Sequence, residues 1–306
     1  MSAQRKPLDS NRWHLNHGPI DIVAEAHGDA VEVAVAHELA WRRFATVLDE
    51  LVAELPLLRQ PVSAECALQG PIARRMWKAC APLRAGFITP MAAVAGAVAQ
   101  ELIACYRRPG IERAWVNNGG DIALHLAPGH SVRVGLFADL ALFDPRDTSP
   151  IDTDGQFDVR ADLPVRGVAT SGWRGRSFSR GIADSATVLA ATAAEADAAA
   201  TVIANAVNVD DAGIHRLPAS ARKDDSDLGD ILVTTNVEPL ASDQVRRALD
   251  SGAACAARLQ QAGLLWSAML ACQGQWRMVE PLSSQAAVLP GSAARSSAAA
   301  VGSVFA

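Results

Sequence analysis

The sequence is poor in aromatic residues and in cysteine. Only 5% of its 306 residues are aromatic, and one of them is a tyrosine. Half of the residues are hydrophobic, and many of these are alanine, so we expect helices that pack closely on small side chains. The five cysteines are odd in number and widely spaced, without a Cys-x-x-Cys pair. This pattern argues against a disulfide framework and a structural zinc site, and it favours buried free thiols in a reducing compartment.

Signals for export, membrane insertion and nucleic-acid binding are also missing. Residues 1–11 are polar and contain no apolar segment of signal-peptide length. No charge-free run is long enough to span a bilayer. The net charge of −5 is spread without long runs, and there is no basic stripe of the kind that nucleic-acid binders carry. We therefore expect a cytoplasmic protein that binds neither membranes nor nucleic acids.

The order of helical and strand patterns predicts an α+β fold. Strands do not alternate with helices, and no Gly-x-Gly-x-x-Gly follows a first strand, which argues against a Rossmann domain. Residues 139–163 are rich in Asp, Pro and Gly and are interpreted as a long surface excursion. Residues 281–306 are rich in Ser and Ala and are predicted to form a disordered tail.

The segment Trp115–His125 combines two apolar runs with an Asn-Asn-Gly-Gly-Asp turn between them. It predicts a hairpin in which Asn118, Gly119 and Gly120 can adopt positive φ. Such a turn lets the backbone approach a ligand and directs amides at phosphate or flavin oxygens. Since Asn-Gly turns are common, a plain hairpin is the competing interpretation.

Two predicted helices carry further candidate positions. Thr89 and Pro90 are typical of a helix start, and the small apolar residues that follow predict a buried helix whose free amides could meet an anion. Residues 194–207 predict a second helix with Asp197 and Thr201 on one face. A carboxylate among so many alanines needs a partner or a metal ion unless it lies on the exposed side, which the spacing leaves open.

Several of these segments, taken in order, resemble the ApbE superfamily, whose founding members are FAD:protein FMN transferases. The similarity is carried by Ala92–Ala99, Val116–Ile122, Gly167–Gly172 and Ala196–Thr201. Three other segments look typical of its UPF0280 branch: Trp13–Asp21, Phe87–Met91 and Ser177–Asp184. The similarity covers roughly residues 10–280, which we expect to form one domain.

The resemblance implies two fused T-fold-like halves, with antiparallel sheets and packed helices around a flavin nucleotide. It also implies a Mg²⁺ site at Asp197, Thr201 and the backbone carbonyl of Ala95, which suits an ion that prefers oxygen ligands. FAD or a related nucleotide is then expected to contact the turn and a second segment: Asn117, Asn118, Gly119, Gly120, Asp121, Thr170, Ser171 and Gly172.

The sequence departs from the transferases at two places. Their alanine-rich helix contains Ala-Lys-Gly, whereas residues 95–97 are Ala-Gly-Ala. Their His-x-x-Asp-Pro segment corresponds here to Trp173–Asp184, which contains neither His nor Pro. The metal and phosphate positions are retained, while those near the isoalloxazine ring are altered.

These observations leave three functions open. The first is a Mg²⁺-dependent enzyme acting on a nucleotide-like substrate, such as a divergent flavin transferase with a protein acceptor. The second is a non-catalytic flavin-binding or accessory protein in sulfur or one-carbon metabolism. The third is a structural subunit with a vestigial site, since alanine-rich helices and hairpin edges are compatible with a homodimer.

Overall fold

An antiparallel sheet of nine strands forms the centre of the molecule. The computed structural model describes residues 2–8, 11–136, 155–282 and 303–305. Each neighbouring pair in the large sheet is antiparallel. From one edge to the other its strands are β1 (Gln4–Pro7), β2 (Arg12–His17), β3 (Ile20–Gly28), β4 (Ile111–Asn118), β5 (Asp121–Leu126), β8 (Gly167–Ser171), β9 (Ser185–Ala190), β12 (Ser267–Cys272) and β13 (Gln275–Val279).

Two smaller sheets complete the strands of the described residues. One contains β6 (Ser131–Leu136), β7 (Gly155–Arg160) and β14 (Ser303–Phe305), and the other contains β10 (Ile214–Pro218) and β11 (Leu232–Val237). The helices are α1 (Ala30–Ala53), α2 (Leu55–Leu58), α3 (Pro71–Cys80), α4 (Val94–Ile103), α5 (Ala193–Ala206) and α6 (Ser242–Gln261). Short 3₁₀ turns occur at Ala81–Leu83, Pro90–Ala93, Ala104–Tyr106 and Ala219–Ala221.

The large sheet consists of two halves with the same connectivity. In the first half, the hairpin β2–β3 is followed by helices and then by the hairpin β4–β5, with β3 paired to β4. In the second, β8–β9 is followed by α5 and α6 and then by β12–β13, with β9 paired to β12. The pairing of β5 with β8 joins the halves. The predicted α+β fold of two fused T-fold-like halves is confirmed.

Alternation along the strands separates a helix side of the sheet from an outer side. Val116 and Ala123 belong to a core cluster that includes residues of α1, α3 and α4. Their neighbours Trp115 and Leu124 instead belong to a cluster with the buried valines of β6 and β7. The helices therefore cover one face of the large sheet, and the sheet of β6 and β7 covers the other.

Several local predictions require correction. Residues 155–160 of the predicted surface excursion form β7, which pairs with β6 along its whole length, while residues 139–154 lie outside the described residues. The strand β10 has no counterpart in the sequence prediction. The predicted helix start at Thr89 is a 3₁₀ turn, and the Thr89 hydroxyl donates to Asp227 rather than capping the turn.

The C-terminal segment is described only in part. Ser303–Phe305 pairs in parallel with β6. Most of the predicted tail at 281–306 lies outside the described residues, and its disorder stays a prediction. None of the helices within the described residues combines the length and the apolar character that crossing a membrane requires.

The helices α4 and α5 pack with almost no space between their backbones at Gly96. A Cβ added to Gly96 would lie 2.2 Å from the carbonyl oxygen of Ala193 and 2.9 Å from the Cβ of Asp197. The alanines of the two helices around this point are fully buried: Ala97 on α4, and Ala193 and Ala198 on α5. This contact confirms the close helix packing expected from the alanine-rich sequence, and it brings the start of α5 against the start of α4.

We predict that Gly96→Ala destabilises the fold by about 2 kcal/mol, because a methyl group there must push two helix backbones apart. The gain in helix propensity, about 1 kcal/mol, is too small to offset this clash. Urea unfolding monitored by circular dichroism measures the difference. Gly86→Ala is the matched control, since a Cβ at Gly86 meets nothing within 4 Å. Equal stability of the two variants would contradict the close contact.

Candidate functional site

The Asn-Gly-Gly-Asp turn is a two-residue hairpin between β4 and β5. Asn118 pairs with Asp121, while Gly119 and Gly120 have φ angles of +67° and +111°. The side chain of Asn117 closes the turn, because its Oδ1 accepts a hydrogen bond of 2.8 Å from the Gly120 amide. Asn118 has no positive φ and belongs to β4, so that part of the prediction is wrong. Only the glycines adopt the conformation that L side chains avoid.

The turn presents two side chains to the helix side of the sheet. Asn118 and Asp121 are register partners. Each is two residues from a residue of the helix-side core, Val116 or Ala123, so both side chains point to the face that the helices cover. The Asn118 side-chain amide donates a hydrogen bond of 3.1 Å to the backbone carbonyl of Ala95. This bond connects the hairpin directly to the beginning of α4.

Asp197 approaches the same point from α5. Its Oδ2 accepts a hydrogen bond of 2.9 Å from the amide of Gly96, one of the free amides at the start of α4. Because there is no side chain at Gly96, the carboxylate can reach this amide. Thr201 lies one helical turn further along α5 and is partly buried. Among the described residues, its hydroxyl has no hydrogen-bond partner.

Asp121 and Asp197 form a pair of interacting carboxyl groups. Asp121 is buried, with 8% of its surface exposed, and its Oδ1 accepts a bond of 3.3 Å from the Thr170 amide. Burial and the nearby Asp197 raise the pKa of Asp121 well above its usual range. Burial raises the pKa of Asp197 to about 7, against the opposing effect of the Gly96 and Ala95 amides. Within the described residues, neither carboxyl group forms an ion pair.

The segment Thr170–Gly172 meets the site mainly through its backbone rather than through its side chains. The Thr170 hydroxyl lies 2.9 Å from the hydroxyl of Thr187, on the outer face of the sheet, while its amide meets Asp121. Ser171 lies on the helix side and is partly buried. Gly172 allows a close backbone approach, because an added Cβ would lie 2.3 Å from the Asp184 carbonyl oxygen.

Three neighbours of the site were not predicted from the sequence. The Cys80 thiol lies close enough to Asp197 that, with burial, the aspartate raises the pKa of the thiol. The exposed guanidinium of Arg176 lies beside the turn, with its Nη1 3.3 Å from where a Cβ on Gly119 would lie. The third is the amide of Gly96: the free amides of this helix were expected to meet an anion, but the sequence did not indicate that the anion is Asp197. None has a motif of its own, and each is distant in sequence from the residue that it meets.

The two histidines of β2, His14 and His17, are three residues apart and lie on opposite faces of the strand, so they do not form a metal-binding pair. His14 contacts Asp21, and His17 is buried against Phe44. Within the described part of the chain, no cluster of three or more His, Cys, Asp or Glu side chains could hold a metal ion. A cation site therefore needs backbone and amide oxygens as well as the two carboxylates.

The donor chemistry at the carboxylate pair suits Mg²⁺. The two carboxyl groups and the backbone carbonyl of Ala95 are oxygen donors, and the side-chain amide of Asn118 holds that carbonyl. Mg²⁺ is typically held by one or two carboxylates together with waters and phosphate oxygens. Like-charged carboxylates without a cationic partner gain most from such an ion. The residues present therefore fit the group that the resemblance implies.

Comparison with known proteins agrees with this architecture. A family model described as AbpE bacteria matches residues 4–278. The chain belongs to that family. The match spans both halves of the sheet and all the site residues described above.

Curated relatives extend the AbpE assignment. A UPF0280 protein of Methanosphaerula palustris is 33% identical over 189 residues, which cover 58% of this chain and 74% of the relative. A UPF0280 protein of Methanospirillum hungatei is 34% identical over 166 residues, covering 54% of this chain and 63% of that relative. The predicted membership of the UPF0280 family within the ApbE superfamily is confirmed.

A solved structure, that of an ApbE protein from Thermotoga maritima, is similar over 90% of this chain and 96% of its own. The sequences are 12% identical, and the TM-score is 0.43.

We predict that the metal-free protein loses stability as the pH rises from 5 to 8. The folded protein holds a proton on Asp197 up to about pH 7, whereas an unfolded aspartate releases it near pH 4. A pKa raised by folding gives stability that is present at low pH and is lost as the pH rises through the folded value. Asp197→Asn removes this titration, so relative to wild type it should gain about 2 kcal/mol between pH 5 and 8.

The measurement is urea unfolding in EDTA at several pH values. Asp49→Asn is the control, since Asp49 is an exposed carboxylate on α1 and should leave the pH slope unchanged. Adding Mg²⁺ should stabilise the wild type at pH 8 more than at pH 5. Identical slopes for wild type and Asp197→Asn would show that Asp197 has an ordinary pKa.

Proposed function

We propose that the chain binds a flavin nucleotide, or a related phosphorylated nucleotide, together with one Mg²⁺ ion at Asp121 and Asp197. The observation that carries this proposal is the carboxylate pair, which combines the buried Asp121 with the partly buried Asp197 and has no cationic partner among the described residues. The Ala95 carbonyl would complete the protein ligands, and Thr201 lies on the same face of α5. Membership of the AbpE family supports the choice of ligand class.

The surroundings of the pair suit the phosphate part of such a ligand. The Gly119–Gly120 turn has no side chains that would keep a ligand from its backbone. The exposed Arg176 offers a guanidinium at the same turn, and a planar guanidinium matches the geometry of phosphate oxygens. Ser171 adds a hydroxyl on the helix side of the sheet.

When bound, Mg²⁺ would neutralise phosphate charge and favour the loss of a phosphorylated leaving group. The chain's own residues would fix the geometry: Asp197 is held by the Gly96 amide, and Asn118 holds the Ala95 carbonyl. On this basis we propose a Mg²⁺-dependent transferase that is divergent from the flavin transferases.

A second candidate is a flavin-binding or accessory protein without transfer activity. Position 96 corresponds to the lysine of the transferases, and the α5 backbone leaves no room there for any side chain. The segment Trp173–Asp184, where the transferases carry His-x-x-Asp-Pro, supplies neither His nor Pro. The missing lysine and the missing His-x-x-Asp-Pro segment would affect the transfer reaction more than the binding of metal and phosphate. They therefore favour a protein that binds a flavin without transferring it.

We predict that FAD and Mg²⁺ together raise the melting temperature of the protein, and that each alone raises it less. The reason is that a bound phosphate supplies oxygen ligands that the carboxylate pair cannot supply alone. Thermal shift and the visible flavin spectrum measure the effect. Asp197→Asn should abolish the Mg²⁺-dependent part, whereas Asp49→Asn should retain it. A wild type that responds to neither compound would contradict both flavin functions.

Transfer and simple binding are distinguished by mass spectrometry of a co-expressed acceptor protein. The transferase predicts an acceptor whose Ser or Thr gains the mass of FMN, and loss of that adduct in Asp197→Asn. Bound FAD without any adduct would favour the accessory function.

A further inference from the structure

A cavity of about 440 Å³ lies at the carboxyl end of α5, between the β10–β11 hairpin and α6. Its polar lining residues are Arg180, Asn205, Asn208 and Arg216. Asn205 follows Asp197 by eight residues, or about 12 Å along the helix. The cavity is therefore a different place from the carboxylate pair, and no residue of the pair lines it.

The two arginines at this cavity have no carboxylate partner among the described residues. Arg216 is partly buried, and its Nη2 donates a hydrogen bond of 2.6 Å to the neutral side chain of Asn208. Burial lowers the pKa of Arg216, opposed by the exposed Asp210 nearby. The guanidinium of Arg180 is exposed and makes no hydrogen bond or ion pair within the described residues. Two guanidinium groups without an ion pair among the described residues thus line one cavity, and Asp210 lies near one of them.

The two asparagines are oriented so that their donors remain available. The Asn205 Oδ1 accepts bonds of 2.8 Å from the Arg180 amide and 3.3 Å from the Ser179 hydroxyl. The Asn208 Oδ1 accepts the bond from Arg216. With both acceptor oxygens occupied, the side-chain NH₂ groups are left as donors. The polar part of the lining therefore presents donors and positive charge, without a carboxylate.

The remaining wall is apolar. Val202, Ile231 and the buried Cys255 line the cavity beside the polar groups. Its volume falls within the range of sites that hold small molecules, which combine an apolar wall with a few polar anchors. A ligand that matches has an anionic head and a short apolar skeleton.

We propose that this cavity binds a small organic oxyanion, a carboxylate or a phosphate ester, with Arg180 and Arg216 on its charged group. The proposal does not depend on the nucleotide and Mg²⁺ site. It adds a second ligand site to the chain, formed entirely by the second half of the fold.

Inorganic phosphate and succinate are the two probes, titrated separately by calorimetry into the full chain in EDTA at constant ionic strength. We expect binding of at least one probe, and Arg180→Gln should weaken it about tenfold or more, as loss of a charge-assisted bond does. Because the Arg180 side chain has no internal partner, this variant should fold normally. Arg246→Gln, an exposed arginine on α6 that does not line the cavity, should bind like wild type.

The outcomes separate this proposal from the function proposed above. Asp197→Asn should keep the anion response while losing the Mg²⁺ response, and Arg180→Gln should do the reverse. Binding of phosphate alone would identify the head group as phosphate, and binding of succinate alone as carboxylate. The proposal is overturned if neither probe binds up to about 10 mM. It is also overturned if Arg180→Gln only lowers the melting temperature, since the arginines would then serve the negative end of α5.

Discussion

The contact between α4 and α5 at Gly96 is the constraint on which the site depends. It lets Asp197 reach the amide of Gly96 at the start of α4, where Asn118 also holds the Ala95 carbonyl. Any side chain at position 96 would separate the helices and move Asp197 away from Asp121. The same contact leaves no room for a lysine at position 96, which corresponds to the lysine of the transferases. Site geometry and loss of that residue thus have one physical cause.

Much of the fold follows from local sequence signals. The Gly-Gly turn predicts its hairpin because the signal lies within a few residues. Residues 13–25 are typical of a strand, and the structure divides them into the paired strands β2 and β3. The strand β7 was missed because its polar residues, such as Gln156 and Asp158, face away from the core and hide the apolar positions. The two Ala-rich helices follow from their runs of small apolar residues, although the first begins at Val94 rather than after Thr89.

The site was predicted less completely, and the reason is distance along the chain. Asp197 and Asp121 were each identified, one as a metal ligand and one as part of a nucleotide turn, but their mutual repulsion depends on the pairing of β5 with β8. Arg176 and Cys80 carry no motif, and only the folded structure brings them to the site. The face to which a strand residue points is also known only once the strand register is known. The hydroxyl of Thr170, for example, points to the outer face and meets Thr187.

The pairing of β5 with β8 also determines how many carboxylate pairs of this kind the two halves form. Among the described residues the sheet ends at β1 on one side and at β13 on the other, so the two similar halves share one boundary rather than two. Asp121 comes from the first half and Asp197 from the second, across that boundary. The equivalent turn of the second half, between β12 and β13, lies at the edge of the sheet, and the described residues contain no further strand beside it that would bring a second carboxylate. The described residues therefore contain one carboxylate pair of this kind, even though the architecture is nearly two-fold.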